Sequence, residues 1–183
     1  IHQQVVVTAE AAGANTVTTP APVTVIERET LDALHVSDLP DVLAAVPGTM
    51  PVQSGQRGAP TALFVRGGNS TFTRILVDGV PVNDIGGGAD LSDIATTGVE
   101  QVEVLRESNS VAYGSDALAG VVSVTTRRGA GRVPTVDASV AGGRFSTGEA
   151  DVSLGGAIGR IDYFGAYGAL RTDNHTPNSD VRR

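Results

Sequence analysis

Residues 113–122 read Tyr113-Gly114-Ser115-Asp116-Ala117-Leu118-Ala119-Gly120-Val121-Val122 and lead into the last of four short apolar strands. The four predicted strands cover residues 62–66, 75–78, 102–105 and 121–126. Loops rich in glycine separate them, which is typical of strands joined by turns. The pattern favours a small sheet and disfavours a helical bundle.

Two helical segments precede these strands. After a short strand at residues 23–26, a first helical stretch covers residues 29–34. A second has apolar residues at the i, i+3, i+4 and i+7 positions of a helix with one buried face, namely Leu39, Val42, Leu43 and Val46. Pro47 and Gly48 end this helix. Short helices beside short strands predict an α+β domain with a small mixed sheet.

A different pattern begins after Arg132, where apolar and polar residues alternate. We expect strands at residues 135–141, 150–158 and 161–170, with turns around Gly142-Gly143 and at Gly159-Arg160. The first two strands have one apolar and one polar face, whereas both faces of the third carry apolar side chains. This alternation fits either the edge of a soluble sandwich or the strands of a membrane barrel.

Composition disfavours several classes of function. Thirteen basic residues against 20 acidic ones give a net charge of −7, whereas nucleic-acid binding needs clustered basic side chains. The chain has no cysteine and only three scattered histidines, so it lacks a thiolate or histidine metal motif. Ser115 has neither the flanking glycines of a nucleophile elbow nor a histidine nearby in sequence. We therefore expect no enzyme activity and no nucleic-acid partner.

Seven motifs in a fixed order carry a resemblance to a known family. They are Val5-Val6-Val7-Thr8-Ala9, Pro22-Val23-Thr24-Val25-Ile26, residues 39–48, Val65-Arg66-Gly67-Gly68, Ile75-Leu76-Val77-Asp78-Gly79-Val80-Pro81, Val102-Glu103-Val104-Leu105-Arg106 and residues 113–122. In this order they resemble the amino-terminal part of a TonB-dependent outer-membrane transporter. Residues 88–92 and 113–117 are most similar to those of cobalamin transporters, and siderophore receptors share the second of these motifs.

The resemblance implies an α+β plug domain followed by antiparallel amphipathic strands of an incomplete transmembrane β-barrel. Residues 1–22 would be the TonB box and a flexible tether, residues 23–132 the plug, and residues 133–183 the first barrel strands. About 50 residues follow Pro134, enough for three or four membrane strands at about 9–11 residues each. Because even the smallest such barrels have about eight strands, we expect a fragment of a longer receptor.

The resemblance also names the segment that would contact TonB. This TonB box consists of Val5, Val6, Val7, Thr8 and Ala9. A short β-branched segment on a loose tether can bind the carboxy-terminal domain of TonB as an added strand. From the residues alone, the same segment could also be the first strand of the chain's own sheet.

The expected ligand is a small-molecule nutrient or metal chelate, either cobalamin or a ferric siderophore. Two loops would bind it, since small residues let the backbone approach a bulky solute. Loop A consists of Ser54, Gly55, Gln56 and Arg57, and loop B of Asn83, Asp84, Ile85, Gly86, Gly87, Gly88, Ala89 and Asp90. The alternative is that both loops are solvated connectors.

The remaining expectations concern location and partners. The resemblance implies a monomer among the lipids of the outer membrane of a Gram-negative bacterium, with the plug inside the barrel, the amino end in the periplasm and no cofactor. Asp173, Asn174 and Asp180 carry oxygen ligands that suit calcium, which extracellular loops of the full-length protein could bind. The alternative function is a stand-alone periplasmic plug-like module that binds a ligand or TonB.

Overall fold

The computed structural model describes residues 23–108, 110–129, 133–173 and 181–182. Its strands are β1 (Val23–Glu27), β2 (Thr49–Gln53), β3 (Thr61–Val65), β4 (Thr73–Val77), β5 (Val80–Pro81), β6 (Val99–Leu105), β7 (Gly120–Thr126), β8 (Thr135–Gly143), β9 (Thr147–Ile158), β10 (Ile161–Thr172) and β11 (Val181–Arg182). Its α-helices are α1 (Arg28–Leu34), α2 (Leu39–Ala44) and α3 (Ser110–Tyr113), and short 3-10 helices cover Ser70–Phe72, Thr96–Gly98 and Ser115–Ala117.

The first sheet is mixed and has the strand order β1-β6-β7-β4-β5. Only β4 and β7 run parallel, and β2 and β3 form a separate antiparallel hairpin. The core joins helix residues Leu31, Leu39 and Leu43 to sheet residues such as Val102 and Val122, all of which are at most 1% exposed. The predicted α+β architecture with short helices is confirmed.

Helix α2 is shorter than the apolar spacing suggested. It ends at Ala44, and the amides of Ala45 and Val46 donate to the carbonyls three residues before them, at 3.2 and 3.0 Å. Bonds of this kind tighten the last turn of a helix. Val46 is still only 3% exposed, so the apolar face predicted from the spacing is buried although the helix has stopped.

The second sheet is antiparallel, with the order β11-β10-β9-β8, and it is open at both edges in the described residues. Register places Asp137 opposite Ser153 and Ser139 opposite Asp151, so these polar side chains share one face. The same register puts Phe164 of β10 on this face, opposite Gly155. The polar face lies against the first sheet and its helices. The sequence left open which face of β10 points toward the first sheet, and this register shows that it is the face that carries Phe164.

The other face of the second sheet is apolar and exposed. Its large side chains are Val136, Val140, Val152, Leu154, Ile158, Ile161 and Tyr167, each between 43% and 86% exposed. A contiguous apolar patch on a protein surface usually marks a contact with lipid or with another chain.

The two expected turns of the second sheet differ in outcome. The turn at Gly159-Arg160 is confirmed, because it joins the paired residues Ile158 and Ile161. The turn expected around Gly142-Gly143 is wrong, since both glycines pair within β8 and the chain reverses at residues 144–146. There the backbone of Phe145 and Ser146 takes positive φ angles of 59° and 55°.

Candidate functional site

Loop B is closed by the side chain of its first residue. Asn83 Oδ1 accepts a hydrogen bond from the amide of Ile75 at 2.8 Å. Its Nδ2 donates to the carbonyls of Thr73 and Gly87 at 2.9 and 2.7 Å. One amide group thus joins strand β4 to the far side of the loop and constrains the shape of the loop.

Gly87 allows this loop to pack closely against its neighbour. Its φ is +88°, and a Cβ at this position would lie 2.5 Å from the carbonyl oxygen of Thr71. Only glycine fits such an approach without a shift of the backbone. At the tip, Ile85 is fully exposed. The loop therefore presents an apolar side chain to solvent from a rigid support.

Loop A is held by hydrogen bonds at its ends. The amide and the hydroxyl of Ser54 both donate to the carbonyl of Pro60, each at 3.0 Å. The amide of Ala59 donates to the carbonyl of Gln56 at 2.9 Å. Ser54 and Gly55 are exposed, whereas Gln56 and Arg57 are half-buried.

Arg57 lies between the two sheets. Its Nη2 is 3.1 Å from Asp38 Oδ2, at the start of α2, and 3.1 Å from Glu149 Oε2 on β9. Its Nε donates to the same Asp38 oxygen at 3.2 Å. The carboxylates are largely buried, with side-chain exposures of 10% for Asp38 and 13% for Glu149. The structure thus gives this predicted ligand residue two protein partners.

The structure brings the bases of the two loops together. Asp90 Oδ1, at the end of loop B, accepts from the amide of Thr61, just beyond loop A, at 2.9 Å, and from the amide of Ser92 at 2.9 Å. The amide of Leu91 in turn donates to the carbonyl of Thr61 at 3.0 Å. Burial acts to raise the pKa of Asp90, but these hydrogen bonds outweigh it and lower the pKa.

A cavity of about 420 Å³ lies beside this junction. Its described lining includes Asp38, Asp41, Arg57, Thr61 and Ser92, and Arg57 is the only basic residue among the lining residues. Burial, followed by the nearby charge of Asp38, raises the pKa of the Asp41 carboxyl. For Arg57, burial acts to lower the pKa, but the charges of Asp38 and Glu149 raise it.

Three successive polar-face residues of β9 bind three separate segments of residues 23–129, which we call the first unit. Glu149 pairs with Arg57, as described above. Asp151 Oδ1 accepts from the hydroxyl of Thr97 at 2.7 Å, and Ser153 Oγ accepts from Nη1 of Arg127 at 3.2 Å. We call this row of contacts the β9 ladder.

Arg127 extends the ladder to the neighbouring strands. Its Nη2 lies 3.0 Å from Asp137 Oδ2 on β8, and its guanidinium stands 5.3 Å from the ring centre of Phe164 on β10. A cation over an aromatic face is attracted by the ring's quadrupole. Arg127 follows directly after β7, so the end of the first sheet is fixed to three strands of the second.

Some predicted residues lie outside the described part of the chain. These are the TonB box residues Val5, Val6, Val7, Thr8 and Ala9, and the proposed calcium ligands Asn174 and Asp180. Within residues 23–108, 110–129, 133–173 and 181–182, no three acidic or histidine side chains form a metal-ligand group. The helices in these ranges are all too short or too polar to span a membrane.

Comparison with known families identifies the first unit. The model of the TonB-dependent receptor plug domain matches residues 15–121, more than half of the chain. The chain belongs to this family. The resemblance inferred from the seven motifs is therefore confirmed, and the first unit is called the plug below.

Among the solved structures that share the fold are three receptors. The siderophore receptor PiuA from Acinetobacter baumannii is 21% identical, with a TM-score of 0.74 over 92% of this chain and 24% of its own. The pyoverdine receptor FpvA from Pseudomonas aeruginosa is 16% identical, with a TM-score of 0.72 over 84% of this chain and 22% of its own. The ferric yersiniabactin uptake receptor FyuA from Yersinia pestis is 22% identical, with a TM-score of 0.62 over 83% and 24%. The chain spans about a quarter of the length of these proteins.

Proposed function

We propose that this chain is the plug and the first wall strands of an outer-membrane receptor that takes up a scarce nutrient with energy delivered by TonB. The observation that carries the proposal is the β9 ladder. It holds a plug of the TonB-dependent family against the polar face of a sheet whose other face is apolar and exposed. An apolar outer face suits lipid, and a polar inner face suits a plug that must move.

The exposed apolar face favours the receptor over a stand-alone periplasmic module. A module in water would present Val140, Ile158 and Ile161 to solvent, each more than 70% exposed. In a receptor these side chains contact lipid. The proposal includes the division into tether (1–22), plug (23–132) and wall (133–183), where the wall denotes the first barrel strands. It also includes the monomeric state and a location in the outer membrane of a Gram-negative bacterium.

The proposed ligand is a ferric siderophore or cobalamin, bound on loops A and B. Siderophore receptors among the structural neighbours support the first choice, and the similarity of residues 88–92 to cobalamin transporters supports the second. The rigid closure of loop B by Asn83 supports a binding role, because a loop ordered in advance loses less conformational entropy when a ligand binds.

A binding experiment on the complete receptor tests the ligand site. Ile85→Asp puts a charge on a fully exposed apolar tip, so the fold is unaffected and binding of the labelled ligand should weaken about tenfold or more. Val80→Asp, at a site that is 62% exposed on neighbouring β5, is the matched control and should leave binding unchanged. A panel of ferric siderophores and cobalamin identifies the ligand class. Equal affinity of both variants for the bound ligand would exclude loop B from the site.

The proposed TonB contact is tested at Val7. If residues 5–9 add as a strand to the carboxy-terminal domain of TonB, Val7→Pro should weaken binding far more than Val7→Ala, because proline removes a hydrogen-bond donor and constrains the backbone. Isothermal titration calorimetry of the complete receptor with that domain measures both affinities. The same affinity for the proline and alanine variants would rule out strand addition.

A further inference from the structure

Arg57 places a positive charge among several carboxyl groups of the protein. Three carboxyl groups surround the contact between plug and wall at this level: Asp38 and Asp41 on the plug, and Glu149 on β9. Asp38 and Glu149 both lie 3.1 Å from the same Arg57 nitrogen. One guanidinium therefore lies between carboxylates that would otherwise repel each other across the interface.

The geometry of this bridge suits arginine in particular. A planar guanidinium offers several donors in a fixed arrangement, so it can bind a carboxylate on each side of the interface at once. Arg57 uses Nε and Nη2 toward Asp38 and Nη2 toward Glu149. These partners are 19 and 92 residues away in sequence, so the bridge ties loop A both to the start of α2 and to the wall.

We propose that Arg57 is a positioning residue that holds loop A and the start of α2 against β9. Glu149 is the first of the three β9 ladder residues in the sequence. Its partner Arg57 lines the cavity at the loop junction. Loss of the guanidinium turns an attractive contact between plug and wall into a repulsive one. Loop A then loses its contacts with Asp38 and with β9, and its movement widens this cavity, because Arg57 and the neighbouring Gln53 and Gly58 form part of the lining. The proposal rests on the proposed function only in that the chain lies within a complete receptor.

A single thiol can report the opening of the cavity. The chain contains no cysteine, and Ser92, which lines the same cavity as Arg57, is only 7% exposed. Ser92→Cys therefore places a largely buried reporter in the cavity, and its reaction with a maleimide should become faster when loop A moves and the cavity widens. In the complete receptor in outer membranes, Arg57→Met should speed this labelling about tenfold, within the range expected for coupled charges.

The decisive comparison is the effect of Glu149→Gln in two backgrounds. With Arg57 present, Glu149→Gln removes one half of the bridge, so labelling should become faster. With Arg57→Met, the same change removes one of the facing carboxylates, so labelling should become slower than in Arg57→Met alone. A loss of general stability would speed labelling in both backgrounds and would not reverse its sign. Arg57→Lys keeps the charge, so its labelling rate should lie between those of the native receptor and Arg57→Met.

Arg74→Met is the matched control. Arg74 pairs with Asp116 at 2.7 Å inside the plug and has a side-chain exposure of 21%, against 34% for Arg57. It should leave the labelling rate at position 92 unchanged. If Arg57→Met does not reach the membrane, the reversal is measured with Arg57→Gln, which also lacks the positive charge. Labelling that is insensitive to Glu149→Gln in both backgrounds would overturn the proposal. Because the readout uses neither nutrient nor TonB, this result is independent of the tests of the proposed function.

Discussion

The closure of loop B by Asn83 can be tested by removing its side chain. Asn83→Ala deletes three hydrogen bonds, to Ile75, Thr73 and Gly87. At about 0.5–1.5 kcal/mol for each bond, the loop should lose about 1.5–4.5 kcal/mol of local stability. Since a factor of ten in an equilibrium corresponds to about 1.4 kcal/mol, amide exchange in the loop should become about 10-fold to 1,600-fold faster.

Hydrogen-exchange mass spectrometry of the complete receptor measures this effect on peptides that cover residues 73–90. Asp84→Ala is the matched control: Asp84 is the next residue of the same loop and is exposed, so exchange in the loop should stay at the native rate. Peptides from β7 should exchange as in the native protein. If loop B exchanges at the native rate in Asn83→Ala, its shape does not depend on this side chain.

Three further predictions concern plug stability. Leu43→Ala, at a site with no exposure, should destabilise the plug by about 2–5 kcal/mol in chemical denaturation. Gly87→Ala should lower the melting temperature and weaken ligand binding, because its Cβ meets the Thr71 carbonyl; Gly88→Ala, with nothing within 4 Å, is the control. Asp78 accepts hydrogen bonds from Thr126, which lower its pKa. Ionised Asp78 stabilises the folded protein fully above its ordinary pKa of about 3.9, and this stabilisation is lost as the pH falls through the lowered pKa. The native protein should therefore melt at a higher temperature than Asp78→Ala near neutral pH, and this difference should shrink in acid.

Much of the plug could be predicted because its strands are short apolar runs bounded by glycine. Helix α2 and the buried face that continues to Val46 follow from the spacing of four apolar residues. Strand β2 is absent from the predicted strands. It contains Pro51, and its residues are exposed or half-buried, so neither composition nor alternation marks it.

The contacts of the site were much less predictable. Loops A and B follow from their glycines and from the family resemblance. The partners of Arg57 could not be found, because they lie 19 and 92 residues away and become neighbours only when the wall packs on the plug. The sequence indicates the closing role of Asn83 only weakly: an asparagine in a glycine-rich loop often forms hydrogen bonds with nearby backbone groups. The contacts of the β9 ladder could not be predicted, because the alternation of apolar and polar residues indicates a polar face but not which segment packs against it.

Uptake without residues 5–9 tests the central claim most directly. In cells that carry no other transporter for the ligand, deletion of residues 5–9 from the complete receptor should leave surface binding nearly intact and abolish accumulation of the labelled nutrient. This result is expected because the segment proposed to bind TonB and the loops proposed to bind the ligand are separate parts of the chain. Accumulation at the native rate after the deletion would contradict energy-coupled uptake and favour a passive pore.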